Sequence, residues 1–193
     1  MKGLRDPADI VASSVLQPWS GRVWRCHHRS RAALNADGSL SGGGGRFNAG
    51  SASDLKPPFR ALYTSVESAA ALLEVVRHLG YRSADARAVV ALRDLALRAL
   101  TQLHVSLQRV FDWSPAAAFA DALRNDFSYR HSQELAVAAV AAGAEGVLVP
   151  SATGIDSNLV IFVESLGDGS RIDLVRQITD LRPVIASLEP SKP

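Results

Sequence analysis

The residue types best suited to chemistry lie in one stretch of this chain, Gly42–Glu74. Four consecutive glycines, Gly42–Gly45, lead directly into Arg46. Further along, Tyr63 follows a short apolar run, and Glu74 interrupts a longer one. A buried carboxylate and an arginine behind a glycine run are both unusual in a purely structural element. The stretch therefore brings a guanidinium, a phenol and a carboxylate close together along one loop–strand–helix unit.

The glycine run belongs to a loop rich in Gly, Ser, Asn and Asp, from Ser30 to Ser53. Glycine allows positive φ and close approach of the backbone to a ligand. Backbone N–H groups beside Arg46 suit a phosphate or pyrophosphate. No Lys-Ser/Thr pair follows the glycines and no helix begins directly behind them, which excludes a Walker A loop and a dinucleotide fingerprint. A flexible linker is the alternative, but it does not account for Arg46-Phe47-Asn48.

A capping pattern predicts that Glu74 lies on a helix. Thr64 and Glu67 have the spacing of a capping box, so a helix is expected from about Ser65 to Leu79, with Gly80 directly after its end. Apolar residues surround Glu74 on both sides, which predicts that its side chain is at least partly buried.

Two candidate residues each have a structural alternative. Arg25 lies in the predicted strand Val23–His27, where it either points into a cleft or is an exposed basic residue on an edge strand. Glu74 is either catalytic or held in a salt bridge with Arg77 or His78 on its own helix. The residues alone leave both questions open.

The remaining pattern predicts short helices and strands. No regular strand–helix–strand alternation is present, which favours an α+β fold. Residues Leu95–Val110 have mixed periodicity and remain unassigned. The expected helices are Asp9–Leu16 ended by Pro18, Ser114–Leu123, and Gln133–Ala142 capped by Ser132 and closed by Gly143. The expected strands are Ala88–Leu92, Gly146–Pro150, Asn158–Val163 and Arg171–Ile178, the last two joined by a hairpin turn at Gly167-Asp168-Gly169.

Composition and charge fit a single soluble domain. A chain of 193 residues is long enough to bury a substantial core. The net charge of +2 is too small to indicate a nucleic-acid partner. The single cysteine, Cys26, excludes an internal disulfide and fits a reducing compartment. No apolar stretch approaches the ~18 residues of a membrane span, and the histidines are too scattered for a metal site. We therefore expect a cytoplasmic protein without a metal.

Several segments, in this order and spacing, resemble the RES domain. The GGRFN and GVLVPSA segments are fairly specific in combination, and the resemblance covers roughly residues 22–165. It implies a single RES domain over 1–193, with a core at about 22–178. The segments are Trp24-Arg25, Gly44–Asn48, Ala61–Tyr63, Leu73-Glu74, Ser132-Gln133 and Gly146–Ala152.

The resemblance implies both a fold and an activity. RES proteins are toxins of bacterial toxin–antitoxin pairs, have an ADP-ribosyltransferase-like mixed sheet with flanking helices, and consume NAD. Members degrade NAD or pass ADP-ribose to a protein, so the implied acceptor is a protein, water or phosphate. A cognate antitoxin is expected to cover the cleft, and the antitoxin rather than this chain is expected to bind DNA. A non-catalytic nucleotide-binding module remains the alternative of a different class.

The resemblance also implies roles for individual residues. Arg25 and Arg46 correspond to the arginines that face the NAD phosphates. Tyr63 corresponds to the aromatic residue beside the nicotinamide ribose, and Glu74 to the acidic residue of the family. A carboxylate there would stabilise an oxocarbenium-like state, much as in glycoside hydrolysis. The implied NAD-contacting residues are Arg25, Gly45, Arg46, Tyr63 and Glu74.

The family serine has three candidates in this sequence. Ser132 directly precedes Gln133 at the start of the late helix and is the implied catalytic serine. Ser128 takes its place if the preceding loop carries an insertion, and Ser151 in the Pro-Ser step is the third option.

Overall fold

A computed structural model of the chain describes residues 6–78, 95–114, 129–154 and 156–186, without the side chains of 76–78. These residues form a mixed six-stranded sheet with flanking helices, so the fold class is α+β as predicted. Short 3₁₀ helices lie at Asp37–Leu40 and Val163–Ser165. The strands are β1 Leu16–His28, β2 Ala61–Ser65, β3 Arg98–Asp112, β4 Gly146–Pro150, β5 Ser157–Phe162 and β6 Arg171–Ile178. The helices are α1 Pro7–Ala12, α2 Ser68–His78, α3 Arg130–Ala141 and α4 Arg182–Ala186.

The sheet closes on itself through its longest strands. The strand order is β1-β2-β5-β4-β3-β6, and β1 also pairs with β3 in an antiparallel ladder from Leu16↔Phe111 to His28↔Arg98. Only the β3–β4 pairing is parallel among the described strands. β6 is attached to the outer edge of β3. This closure brings the C-terminal ends of β1 and β2 and the N-terminal end of β5 together around one cleft.

The short strands β2, β4 and β5 are largely buried on both faces. Along β5, Leu159 and Ile161 pack into one apolar cluster, whereas Val160 and Phe162 pack into another beneath α3. A strand buried on both faces has a continuous apolar run instead of an alternating one. This explains why β4 and β5 were predictable from their composition. A third cluster, which includes Trp24 and Leu72, packs α2 and α4 against β1 and β3.

Several predicted boundaries are wrong, and each has a local cause. Pro18 does not end a helix, because α1 ends at Ala12 and Pro18 lies inside β1 at a register shift, where its missing N–H is tolerated. The predicted capping box is also wrong: Thr64 lies in β2, and its hydroxyl donates to Leu159 O at 2.6 Å. Helix α2 consequently begins at Ser68 instead of Ser65.

The late elements differ from prediction in two places. Ser132 is not the cap of α3, because the helix begins at Arg130 and its N-cap is Tyr129. The Gly167–Gly169 segment is not a hairpin turn, because β6 pairs with β3 and not with β5. By contrast, β4 and β6 have their predicted bounds, and Gly143 has the positive φ expected after a helix end. The predicted segments Ala88–Leu92 and Pro115–Leu123, together with Leu79, Gly80 and Ser128, lie outside the described residues.

Candidate functional site

A cleft of about 980 Å³ opens between β1, β2, α2 and the loop that carries the glycine run. Its volume is at the upper end of the ~300–1,000 Å³ usual for small-molecule sites. Most of the predicted site residues line it. They are Arg25, Gly45, Arg46, Tyr63 and Glu74, joined by Tyr129, Ala152 and Asn158.

The glycine loop is held by hydrogen bonds from three buried or half-buried side chains. Asn48 is fully buried; its Oδ1 accepts from Gly45 N at 3.0 Å and from the Tyr63 hydroxyl at 2.8 Å. The Tyr63 oxygen in turn accepts from Phe47 N at 2.8 Å. Gln133 Nε2 donates to Gly43 O at 3.0 Å and to Gly45 O at 2.8 Å. The loop is therefore ordered by its own contacts and is not a flexible linker.

These contacts change the explanation for the glycines. The N–H groups of Gly44 and Gly45 donate to Ser41 O and Asn48 Oδ1, so neither is directed at a ligand. Gly44 has a φ of 91°, and a Cβ there would lie 2.3 Å from Asn48 O. A Cβ on Gly45 would lie 2.4 Å from the Tyr63 hydroxyl oxygen. Gly44 and Gly45 thus permit close packing of the loop.

Tyr63 therefore has a contact that the sequence did not predict. Burial raises the pKa of its hydroxyl well above the usual value, so the group stays protonated and can donate to Asn48. The ring lines the cleft while its hydroxyl end fixes the loop.

Arg25 lies in β1 and points into the cleft, which resolves the alternative of an exposed edge residue. Its guanidinium donates to Ala33 O at 2.8 Å and Asn35 O at 2.7 Å, and it forms no ion pair with any described residue. Burial, and to a smaller extent the charge of Arg31, lowers the pKa of Arg25 to about 10. Arg25 is therefore a half-buried cation at neutral pH with neutral partners, a state that favours binding of an anion.

Arg46 stacks on an aromatic ring. Its guanidinium carbon lies 4.8 Å from the centroid of the Tyr129 ring. Tyr129 has a left-handed backbone, with a φ of 61°. Arg31 and Arg98 also line the cleft, whereas Glu74 is its sole carboxylate among the described residues. The described part of the cleft lining is thus mainly cationic, with one negative charge.

Glu74 reaches the cleft from α2 and is fixed through one oxygen. Its Oε1 accepts hydrogen bonds from Ser151 Oγ at 2.8 Å, Ala152 N at 3.0 Å and Asn158 Nδ2 at 2.9 Å. Asn158 is oriented in turn, because its Oδ1 accepts from Ser65 Oγ at 2.6 Å. The second oxygen of Glu74, Oε2, accepts no hydrogen bond from a described residue. The side chains of Arg77 and His78, the predicted salt-bridge partners, lie outside the described residues.

Two of the three candidate serines are described, and they differ in position. Ser151 donates to Glu74, and its oxygen accepts from Thr153 N at 3.1 Å. Ser132 is fully buried in the first turn of α3, and neither serine is among the described residues that line the cleft. The structure therefore brings Ser151, and not Ser132, to the carboxylate.

One buried histidine also lines the cleft. His27 Nδ1 donates to His28 O at 3.1 Å, and its Nε2 lies 2.9 Å from the Thr101 hydroxyl, which donates to it. Burial lowers the pKa of His27, which agrees with a neutral ring in this arrangement.

Sequence reasoning missed the residues that hold the site together. Asn48 and Gln133 were noted as parts of motifs, but no role was assigned to them. Asn158 and Tyr129 carried no signal, because each acts on a residue that is distant in sequence. A polar residue between apolar neighbours, as in Phe47-Asn48-Ala49, is the one local hint of a buried amide.

The described residues contain neither a metal-binding cluster nor a membrane-spanning helix. No group of three or more His, Cys, Asp or Glu side chains is placed to hold a metal ion. No described helix has the length and apolar character needed to span a membrane.

Comparisons with known proteins agree with this architecture. A crystal structure of the M. tuberculosis MbcT–MbcA toxin–antitoxin complex contains a similar chain, with a TM-score of 0.69 and 23% sequence identity. The match covers 95% of this chain and 96% of that one. At this identity the likeness establishes the fold. No curated protein matches in sequence. The RES domain matches residues 22–182, and the chain therefore belongs to the RES domain family.

Proposed function

We propose that this protein binds NAD in the cleft and cleaves its nicotinamide–ribose bond. The observation that carries the proposal is that positive and negative side chains line the same cleft. Arg25 and Arg46 line the same cleft as Glu74, whose Oε1 is fixed by three hydrogen bonds. A dinucleotide offers a matching pair, a dianionic pyrophosphate and a cationic nicotinamide ring.

In the proposed reaction the C1′–N1 bond of the nicotinamide riboside breaks. Its electron pair moves to the pyridinium nitrogen, which releases neutral nicotinamide and leaves positive charge on the ribose. Glu74 stabilises this oxocarbenium-like state electrostatically. An acceptor oxygen then forms the new bond at C1′ and loses its proton to the solvent. The arginines hold the pyrophosphate so that the scissile bond stays beside the carboxylate.

A non-catalytic nucleotide-binding module is the weaker candidate. That function would be favoured by a Glu74 locked in an ion pair away from the cleft. Glu74 instead lines the cleft, and its described partners are a hydroxyl, a backbone N–H and an amide. None of these donors neutralises the carboxylate, so its charge is available to a ligand.

We further propose that the protein is the toxin of a toxin–antitoxin pair. Membership of the RES family and the similarity to a chain in the MbcT–MbcA toxin–antitoxin complex support this assignment. The partner would be an antitoxin that covers the cleft. Wild-type chain expressed alone in bacteria should then arrest growth, and Glu74→Gln expressed at the same level should not. Normal growth with soluble wild-type protein would contradict the toxin assignment.

The activity itself is tested by incubating the purified protein with NAD, with and without cell extract. Free nicotinamide and the fate of labelled ADP-ribose are followed together. Label on protein identifies a transferase, whereas free ADP-ribose or its phosphate identifies degradation. Absence of nicotinamide release under every condition, with NAD binding retained, would favour the binding module.

A further inference from the structure

We propose that the first turn of α3 positions Arg46, through Tyr129 and Gln133, and thereby sets the affinity of the site for its anionic ligand. The inference rests on the proposed function for the identity of the ligand, but its structural part is independent of NAD. Helix α3 reaches the cleft only at this end, where Tyr129 forms part of the lining.

The Gln133 side chain acts on the backbone on both sides of Gly44. Its Nε2 donates to Gly43 O at 3.0 Å and Gly45 O at 2.8 Å, so both N–H groups of one amide are used. Because both partners are acceptors, only this orientation of the amide is compatible with the loop. Gly45 directly precedes Arg46, and its carbonyl belongs to the peptide unit that Arg46 continues. Gln133 therefore fixes the backbone from which the Arg46 side chain extends.

Tyr129 acts on the other end of the same arginine. Its ring centroid lies 4.8 Å from the Arg46 guanidinium carbon, within the range of a cation–π contact. Tyr129 holds this position with a φ of 61°, a backbone conformation that is uncommon for residues other than glycine. Backbone strain of this kind persists where the surrounding structure requires it and is concentrated at ligand sites.

The base of α3 is also tied to the loop region by charge. Arg130 forms an ion pair with Asp54 and another with Glu134 at 2.6 Å. Tyr129, Arg130 and Gln133 thus connect one helical turn to four residues between Gly43 and Asp54. A rigid helix that fixes both the backbone and the guanidinium of Arg46 preorganises the anion site before the ligand arrives.

The test is a double-mutant cycle on ligand binding. We expect Gln133→Met, which keeps the shape but cannot donate, to weaken NAD binding about tenfold. Tyr129→Asn, which tolerates the left-handed backbone but lacks the ring, should weaken it about twofold to fivefold, and Tyr129→Phe should bind as the wild type does. In an Arg46→Ala background both variants should change affinity by less than about twofold, because they act through Arg46. Full additivity would overturn the proposal, as would equal losses from Tyr129→Phe and Tyr129→Asn.

A second measurement separates this proposal from the NAD assignment. Hydrogen exchange of the Gly44, Gly45 and Phe47 amides is measured in ligand-free protein, where all three N–H groups are hydrogen-bonded. Gln133→Met should accelerate this exchange, while Gln102→Met should not. Gln102 is a suitable control because both glutamines are 8% exposed and Gln102 bonds to Arg176, away from the loop. Unchanged exchange in Gln133→Met overturns the positioning role whether or not the protein binds NAD. Faster exchange in a protein that does not bind NAD keeps the role and refutes the NAD assignment.

Discussion

Glu74 at the cleft and Glu145 next to β4 have surroundings that differ in kind, because Glu74 is half-buried and Glu145 is buried. Glu145 is 1% exposed and accepts hydrogen bonds at both oxygens. Its donors are Ser170 Oγ, the Arg109 guanidinium and the N–H groups of Gln108, Arg109 and Gly167. Glu74 lines the cleft, and its hydrogen bonds from described residues are all accepted by one oxygen.

The difference separates a structural carboxylate from one available to a ligand. Burial alone raises the pKa of Glu145, but the hydrogen bonds from Ser170 and from the backbone outweigh it and hold the pKa below its usual value. Every lone pair that Glu145 offers is used to join β3, β4 and the segment before β6. Glu74 keeps an oxygen without a described partner. Burial of a carboxylate is therefore a poor sign of function. A carboxylate beside a cleft whose hydrogen-bonding capacity is only partly used is a better sign.

The largest expected effect is on turnover in Glu74→Gln. Glutamine keeps the shape and one acceptor oxygen but removes the charge. If Glu74 stabilises the oxocarbenium-like state, a loss of about 3–4 kcal/mol lowers turnover roughly 10²–10³-fold. Nicotinamide release measures the effect, and thermal melting checks the fold. A folded Glu74→Gln protein that turns NAD over at the wild-type rate would refute the catalytic assignment.

The next effect concerns the cations that accompany each carboxylate. Arg25→Ala and Arg46→Ala should each weaken NAD binding by about 1.5–3 kcal/mol, because each removes a charge-assisted contact to phosphate. Arg109→Ala is the matched control, since Arg109 pairs with Glu145 at 3.4 Å and not with the cleft. Isothermal titration with NAD provides the comparison. Equal affinity in wild type, Arg25→Ala and Arg46→Ala would exclude the arginines as the phosphate site.

Glu145→Gln should show the opposite behaviour to Glu74→Gln. The introduced amide nitrogen faces donors at either oxygen position, and one unsatisfied buried donor costs about 1–3 kcal/mol. The melting temperature should fall by roughly 2–4 °C for each kcal/mol. Turnover per folded molecule should be unchanged. A large loss of turnover without a loss of stability would erase the distinction between the two carboxylates.

Acid provides an independent signature of Glu145. Its folded-state pKa is lower than its unfolded value, so its contribution to stability is complete above the unfolded pKa and is lost as the pH falls through the folded pKa. Below the usual carboxyl pKa, the melting temperature of the wild type should therefore fall more steeply with decreasing pH than that of Glu145→Gln. Parallel curves would show that folding does not lower the pKa of Glu145.

The smallest expected effects come from a matched pair of serines. Ser151→Ala removes one donor to Glu74, and Ser170→Ala removes one donor to Glu145. Each loss should be at most about 1.5 kcal/mol, the low end for a charged acceptor, because the carboxylate keeps its other donors. Ser151→Ala should lower turnover with little change in melting, and Ser170→Ala should lower melting with little change in turnover. If Ser132→Ala lowered turnover and Ser151→Ala did not, Ser132 would be the family serine after all.

Much of the fold and part of the site were predictable from local patterns. The apolar runs of β4 and β5 and the glycine after α3 depend on neighbouring residues, so they were assigned nearly correctly, and β6 has its predicted bounds. The fifteen-residue strand β3 was missed because it serves several neighbours. It pairs with β1 on one edge and with β6 and β4 on the other, which mixes the patterns of exposure along its length.

The sequence by itself determined the α+β class, the family and the residue types that meet in the cleft. Only the tertiary structure decided what each of them contacts. Ser151 and Asn158 bond to Glu74 from 77 and 84 residues away, and Gln133 reaches Gly43 across 90. No local pattern encodes such a pair, because a hydrogen bond depends on where the closed sheet brings two side chains. For the same reason the sequence allowed a phosphate-binding glycine loop, while the fold directed the N–H groups of Gly44 and Gly45 inward to Ser41 and Asn48.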